Sequence, residues 1–173
     1  VCNALETLLI NSQIYQDMGS LIIEKLLENE VELFVDETIK EDFPNLNLAN
    51  ESHYETEFLD LKLAVKVVDS VDEAIEHIKI YSSGHTEAIL TESKEVADTF
   101  AKSIDSSVIF INSSTRFTDG EMFGFGSEIG ISTQKLHVRG PMGLEALTNE
   151  RYVVTDRKST RLNSSHRCIS YAV

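Results

Sequence analysis

The chain has no apolar run near the ~20 residues that a membrane-spanning helix needs. Its N-terminus also lacks the basic stretch followed by an apolar one that marks a secretory signal. Cysteine is scarce: two in 173 residues cannot make a disulfide framework, so a reducing cytoplasm is the expected compartment. Basic residues are scarce as well, 15 Lys and Arg against 29 Asp and Glu, for a formal charge of −14. Such a surface repels phosphate backbones and argues against non-specific nucleic-acid binding. The five histidines show no metal-ligand spacing. Gly124-x-Gly126-x-x-x-Gly130 is not the GxGxxG of a dinucleotide fingerprint, and is better read as glycines that let backbone segments pass closely. What is plentiful is core material. Apolar residues are 42% of the chain and aromatics 8%, enough for one packed domain or a piece of a larger one.

Helical periodicity predicts helices over Asn3–Asn11 (Ala4, Leu5, Leu8, Leu9) and Asp17–Asn29 (Met18, Leu21, Ile22, Leu26, Leu27). Val31–Val35 reads as a strand, and the polar, Asn-bearing stretch 36–55 as a loop with at most one helical turn. Leu61–Val68 is a strand. Ser70-Val71-Asp72-Glu73 is a capping box in which Glu73 reaches back to the Ser70 amide. The helix behind it keeps Val71, Ala74, Ile75, Ile78 and Tyr81 on one side, places His77 among acids on the surface, and ends toward Gly84. A strand at Thr86–Leu90, a helix at Ser93–Ile104 and a strand at Val108–Ile111 follow. Strand–helix–strand–helix–strand implies two right-handed crossovers and a parallel sheet, with the all-apolar Val108–Ile111 buried on both faces. The fold class is α/β. Six of the eight glycines fall within 112–143, beyond the C-terminal end of that strand, where open α/β sheets bind ligands. Arg151–Thr155 is a last strand candidate.

Two places could carry chemistry. Cys2 stands at the start of the expected Asn3–Asn11 helix, where unpaired amides and the helix dipole favour a thiolate able to attack a carbonyl. The alternative is a small buried packing residue. Ser113, Ser114 and Thr115 put three hydroxyls beside Arg116, an arrangement suited to a carboxylate. The alternative there is an Arg paired with Asp119 or Glu121. The ends also stand out. The chain starts inside an expected element, as a cut piece would. Residues 157–173 carry Arg157, Lys158, Arg161, Arg167 and four serines without one acid, the switch in character of a non-native tail. Without them the remainder holds 11 basic and 29 acidic residues, a charge of −18.

Val1-Cys2-Asn3-Ala4-Leu5-Glu6-Thr7-Leu8-Leu9 resembles the active-site cysteine segment of the gamma-glutamyl phosphate reductases, also called glutamate-5-semialdehyde dehydrogenases, a branch of the aldehyde dehydrogenase superfamily. Leu63–Ser70 with Asp72–Ile78, the stretch Asn112-x-Ser114–Gly120, and Glu128–His137-x-Arg139–Leu144 match in the same order, so the resemblance covers residues 1 to about 155. It implies an aldehyde dehydrogenase-like catalytic domain of parallel strand–helix alternation, incomplete at the N-terminus. That domain would span 1–112. A return segment to the cofactor domain with an oligomerisation strand would span 113–156, and the non-native tail 157–173. The implied reaction is NADPH-dependent reduction of gamma-glutamyl phosphate to glutamate 5-semialdehyde and phosphate, in proline biosynthesis. Cys2 would form a thioester, with its own amide, at a helix N-terminus, as one oxyanion donor. Glu57-Phe58-Leu59-Asp60-Leu61 stands where relatives carry Glu-x-Phe-Gly-Pro, which makes Glu57 the implied ligand of the nicotinamide ribose. Ser114, Thr115 and Arg116 would hold the substrate's α-carboxylate. Further implications are a homo-oligomer, glutamate 5-kinase as a partner, no metal, a cytoplasmic location, and no activity in this stretch alone. Two alternatives stay open: the reductase half of a bifunctional glutamate kinase/reductase, and a non-enzymatic α/β binding module.

Overall fold

The structure, a computed structural model, describes residues 1–155; the expected tail at 157–173 lies outside the described residues. Strands β1 (Thr7–Asn11), β2 (Glu32–Val35), β3 (Asn47–Leu48) and β4 (Lys62–Val68) form a parallel sheet in the order β1-β4-β2-β3. Helix α1 (Ser12–Glu28) returns the chain from β1 to β2, α2 (Glu37–Asp42) from β2 to β3, and α3 (Glu51–Glu55) lies between β3 and β4. Ile10, Ile23, Leu33, Val35, Ile39, Leu63 and Val65 pack between this sheet and its helices as one core.

The helix expected over Asn3–Asn11 is not formed. Its last five residues are β1, with Thr7 opposite Ala64 and Asn11 opposite Val68. A short apolar run satisfies both periods, and pairing with the apolar Leu63–Val68 segment decides for the strand. The helix begins instead at Ser12, where the Asn11 side chain accepts from the Gln13 N–H at 3.1 Å. Its buried face is Tyr15, Gly19 and Ile23, not Met18, Leu21 and Leu27, which are exposed. Tyr15 lies over Gly19, where any side chain would collide with the ring, and donates its hydroxyl to Asp42 at 2.8 Å. The stretch read as loop holds two helices. Asp36 caps α2 by accepting from the Ile39 N–H at 3.0 Å, and its second oxygen takes the Val67 N–H of β4 at 2.8 Å.

The expected single run of three parallel strands is split. Both edges of β4 are taken, by β1 and β2, so β5 (Thr86–Ile89) pairs with β6 (Val108–Ile111) in a second, two-stranded parallel sheet. Helices α4 (Val71–Tyr81) and α5 (Lys94–Ser103) pack on it through Ile75, Phe100 and Ile104. β6 is only half-buried, and Ile111 is exposed. Ser70 caps α4 as expected, but the Glu73 carboxylate accepts the Asp69 N–H at 2.9 Å, one residue earlier than the reading placed it. Gly84, at φ 74°, serves the turn into β5 rather than the end of α4, which stops at Tyr81. Strands β7 (Gly130–Ser132) and β8 (Gly140–Met142) form an antiparallel hairpin, tied down where Lys135 and Arg139 both grip Asp105, at 2.9 and 2.8 Å. Arg151–Thr155 pairs with no strand among the described residues, and its Tyr152, Val153 and Val154 are exposed.

His77 is not a surface residue. It is 7% exposed, edge-on to Tyr54 and tilted against Tyr81, with ring centroids 4.8 and 4.6 Å away. Burial, helped by Lys66, holds its pKa down to about 4 from the usual 6.5, against the pull of Glu73. Above 6.5 neither folded nor unfolded chain is charged there. As pH falls from 6.5 toward 4 only the unfolded chain takes the proton, so stability is lost across that window. The slope is at most about 1.4 kcal/mol per pH unit. His77→Phe keeps the aromatic packing and is expected to flatten this acid limb in the full-length protein. Melting temperatures at pH 7 and pH 5 provide the check, and an unchanged drop in the variant would exclude His77 as the responsible group.

Candidate functional site

The first turn and the 113–118 loop meet through one residue. The Ala4 N–H closes a turn on the Val1 carbonyl at 3.0 Å, leaving Cys2 exposed within it. Asn3 then reaches the residues that follow β6. Its amide nitrogen donates to the carbonyls of Arg116 and Thr118 at 3.2 and 3.0 Å. Its own carbonyl accepts the Thr115 hydroxyl at 2.8 Å, and its side-chain oxygen accepts a guanidinium N–H of Arg116. Asn3, the residue that follows Cys2, is thereby held against Arg116, 113 positions away in the chain. The expectation that Cys2 and its amide stand at a helix N-terminus is not met, since the first helix starts ten residues later at Ser12. A turn braced by Asn3 takes its place, and it brings a guanidinium against the residue next to the thiol.

The loop is shaped from both of its ends. Asn112, at φ 54°, leaves β6 in the left-handed region, and its side chain copies a strand pairing with Thr91, accepting at 2.8 Å and donating at 2.9 Å. Ser114 caps the 3-10 turn Thr115–Phe117 by accepting the Arg116 N–H at 3.2 Å. Its hydroxyl hydrogen has no acceptor among the described residues, whereas the Thr115 hydrogen is given to Asn3. Arg116 does not pair with Asp119, whose carboxylate turns to the N–H groups of Glu121 and Met122 at 2.9 and 3.1 Å. One guanidinium N–H goes to Asn3, and the other donors of the fork can meet an anion.

Glu57 lies in the connection before β4. Its neighbour Phe58 anchors it by stacking on Phe34 of β2, centroids 5.5 Å apart. Glu57 comes close to Glu6, the residue before β1. Burial, and after it the charge of Glu57, pushes the Glu6 carboxyl up, while the Phe58 N–H pulls it down. Two neighbouring carboxyl groups offer hydroxyl acceptors, which is the chemistry a ribose diol requires. Sequence reasoning missed Asn3, Glu6 and His85 here. His85 was visible only as a histidine without metal spacing, and Asn3 carries no motif of its own.

The close backbone approach expected of Gly124, Gly126 and Gly130 is not found at these positions. Gly124 and Gly126 have φ of 81° and 73° with open space around them, so their use is conformational. The close approaches occur at Gly120 and Gly143, where a side chain would run into the Ser127 and Phe125 carbonyls.

No protein-family model matches the chain. Over 154 residues it is 53% identical to the gamma-glutamyl phosphate reductase of Thermoanaerobacter sp. (strain X514), which covers 89% of this chain and 37% of that protein. The crystal structure of gamma-glutamyl phosphate reductase from Thermotoga maritima superposes with a TM-score of 0.86 at 48% identity, covering 93% of this chain and 39% of that one. A propionaldehyde dehydrogenase of Clostridium phytofermentans shares the fold, with a TM-score of 0.58 at 14% identity over 86% of this chain and 42% of that one. The architecture is therefore α/β and aldehyde dehydrogenase-like, and the chain spans little more than a third of the length of the curated relatives it matches.

Proposed function

We propose that this chain is the Cys-bearing part of a gamma-glutamyl phosphate reductase, which forms glutamate 5-semialdehyde and phosphate in proline biosynthesis. The support that carries the reading is the Asn3 clamp, which ties the turn bearing an exposed cysteine to a loop of hydroxyl and guanidinium groups, within a chain 53% identical to such reductases over 154 residues.

In this reading Arg116 and Ser114 hold the substrate's α-carboxylate, while Thr115 braces the Cys2 turn. The Cys2 thiolate attacks the acyl phosphate carbonyl carbon. The bond from that carbon to the phosphate oxygen breaks, phosphate leaves with the electron pair, and a thioester remains on Cys2. Glu57, with Glu6 beside it, would hold the nicotinamide ribose. NADPH, when bound, supplies the hydride that reduces the thioester carbon. The resulting thiohemiacetal oxyanion collapses to the aldehyde and returns the thiolate to Cys2. The remainder of the reductase would supply most of the cofactor site and a second oxyanion donor, so this stretch alone is expected to be inactive. Exposed Leu59, Leu61, Leu90, Phe117 and Met122 fit a surface that meets that remainder. Arg151–Thr155 would pair as a strand with another copy in a homo-oligomer, glutamate 5-kinase would be the partner that delivers the unstable substrate, and the setting would be the cytoplasm. No helix among the described residues is long and apolar enough to cross a membrane.

The test is to express the full-length protein and follow NADP reduction by glutamate 5-semialdehyde, with phosphate or with coenzyme A as acyl acceptor. Turnover that requires phosphate is expected. Turnover that requires coenzyme A, or none at all in a folded protein, would refute the assignment.

A further inference from the structure

His85 directly precedes β5. Its Nδ1 lies 2.7 Å from the Thr86 hydroxyl, and that hydroxyl lies 2.9 Å from the hydroxyl of Thr118. Thr118 is 1% exposed, and its carbonyl is one of the two that hold the Asn3 amide. A line of contacts thus runs from His85 through Thr86 and Thr118 to Asn3, the residue next to Cys2. At the other side of the ring, the buried Nε2 has no hydrogen-bond partner among the described residues.

This asymmetry sets the tautomer. A proton on Nε2 would be a buried donor with no acceptor. A proton on Nδ1 can be given to Thr86 and leaves only an unshared pair buried, which costs less. Thr86 then donates onward to Thr118. Burial pushes the His85 pKa down and keeps the ring neutral, although Glu128 and Glu57 face it from the 118–130 loop and the connection before β4. Glu128 is itself turned to the Gly120 N–H at 3.0 Å.

We infer that His85 is a positioning residue for Cys2: its Nδ1–H directs the Thr86 and Thr118 hydroxyls one way and so fixes the carbonyl on which Asn3, and the Cys2 turn with it, is clamped. The inference rests on Cys2 being the nucleophile, and one arm of its test does not need turnover.

The test uses the full-length protein with His85→Asn, whose amide nitrogen can stand where Nδ1 stands, and His85→Gln, whose amide extends toward the Nε2 position. The readouts are the rate at which iodoacetamide alkylates Cys2, mapped by peptide mass, together with kcat, KM and melting temperature. His85→Gln is expected to lower Cys2 alkylation and kcat about tenfold with KM little changed, and His85→Asn to stay within about threefold of the parent. Asn and Gln variants that behave alike at matched melting temperature, whether both impaired or both normal, would overturn the inference. A Cys2→Ala protein that still turned over would refute the nucleophile reading instead, and the alkylation comparison would still decide how His85 acts on the turn.

Discussion

Cys2→Ala in the full-length protein is expected to cut semialdehyde formation by ~10⁴-fold or more, because a covalent route has no substitute for its nucleophile. Melting temperature should barely move, since the side chain is exposed and fills no core space. KM for gamma-glutamyl phosphate should also hold, because the groups proposed to bind the carboxylate lie on the other side of the Asn3 clamp. Steady-state kinetics with a melting curve on the same preparation provide the measurement. A variant that keeps more than a few per cent of the rate would mean that hydride reaches the acyl phosphate directly, and the thioester would have to be abandoned.

The second large effect is expected at Arg116. Arg116→Met removes the charge but keeps the length. Losing a charge-assisted contact to a carboxylate corresponds to about 1.5–3 kcal/mol, or a rise in KM of roughly 10- to 150-fold. kcat should fall as well, but less, because the guanidinium also holds Asn3 beside the nucleophile. Arg116→Lys separates the two duties. An ammonium is a point charge on a flexible stem and cannot present a planar fork to Asn3 and a carboxylate together. It is expected to recover part of the KM and little of the kcat. A Met variant with unchanged KM would move the carboxylate site elsewhere, with the Ser114 hydroxyl as the next group to test.

Much of the fold could be read from local pattern. The stretch from β4 to β6 announced itself through the Ser70 cap, which accepts from Glu73, and through helix faces that bury Ile75, Ala97 and Phe100. What escaped was set by partners far along the chain. Thr7–Asn11 is a strand because Ala64–Val68 pairs with it, and no helical or extended period within five residues can announce that. The same error hid the sheet order, since β4 with both edges filled cannot accept β5. Helix α2 could have been found from Asp36 as a cap, had the polar 36–55 composition not outweighed it. His77 was misplaced because its charged sequence neighbours say nothing of Tyr54 and Tyr81 closing over it. In the site, Cys2 and Arg116 each stood out as a residue type. The contacts that tie the Cys2 turn to Arg116 did not, because Asn3 makes them across the chain where no spacing rule describes them.

The Asn3 clamp joins positions 112 to 115 residues apart, which gives it a consequence for folding and endurance. A loop of that size is costly to close before other contacts shorten it. The clamp therefore forms only after both sheets have assembled, so the thiol's surroundings are among the last parts of the chain to be completed. The reverse also holds. With two of its four bonds exposed and neither core involved, the clamp is suited to open in a local excursion that leaves the two cores intact. Heat or denaturant should then silence Cys2 while far-ultraviolet signals still report a folded chain.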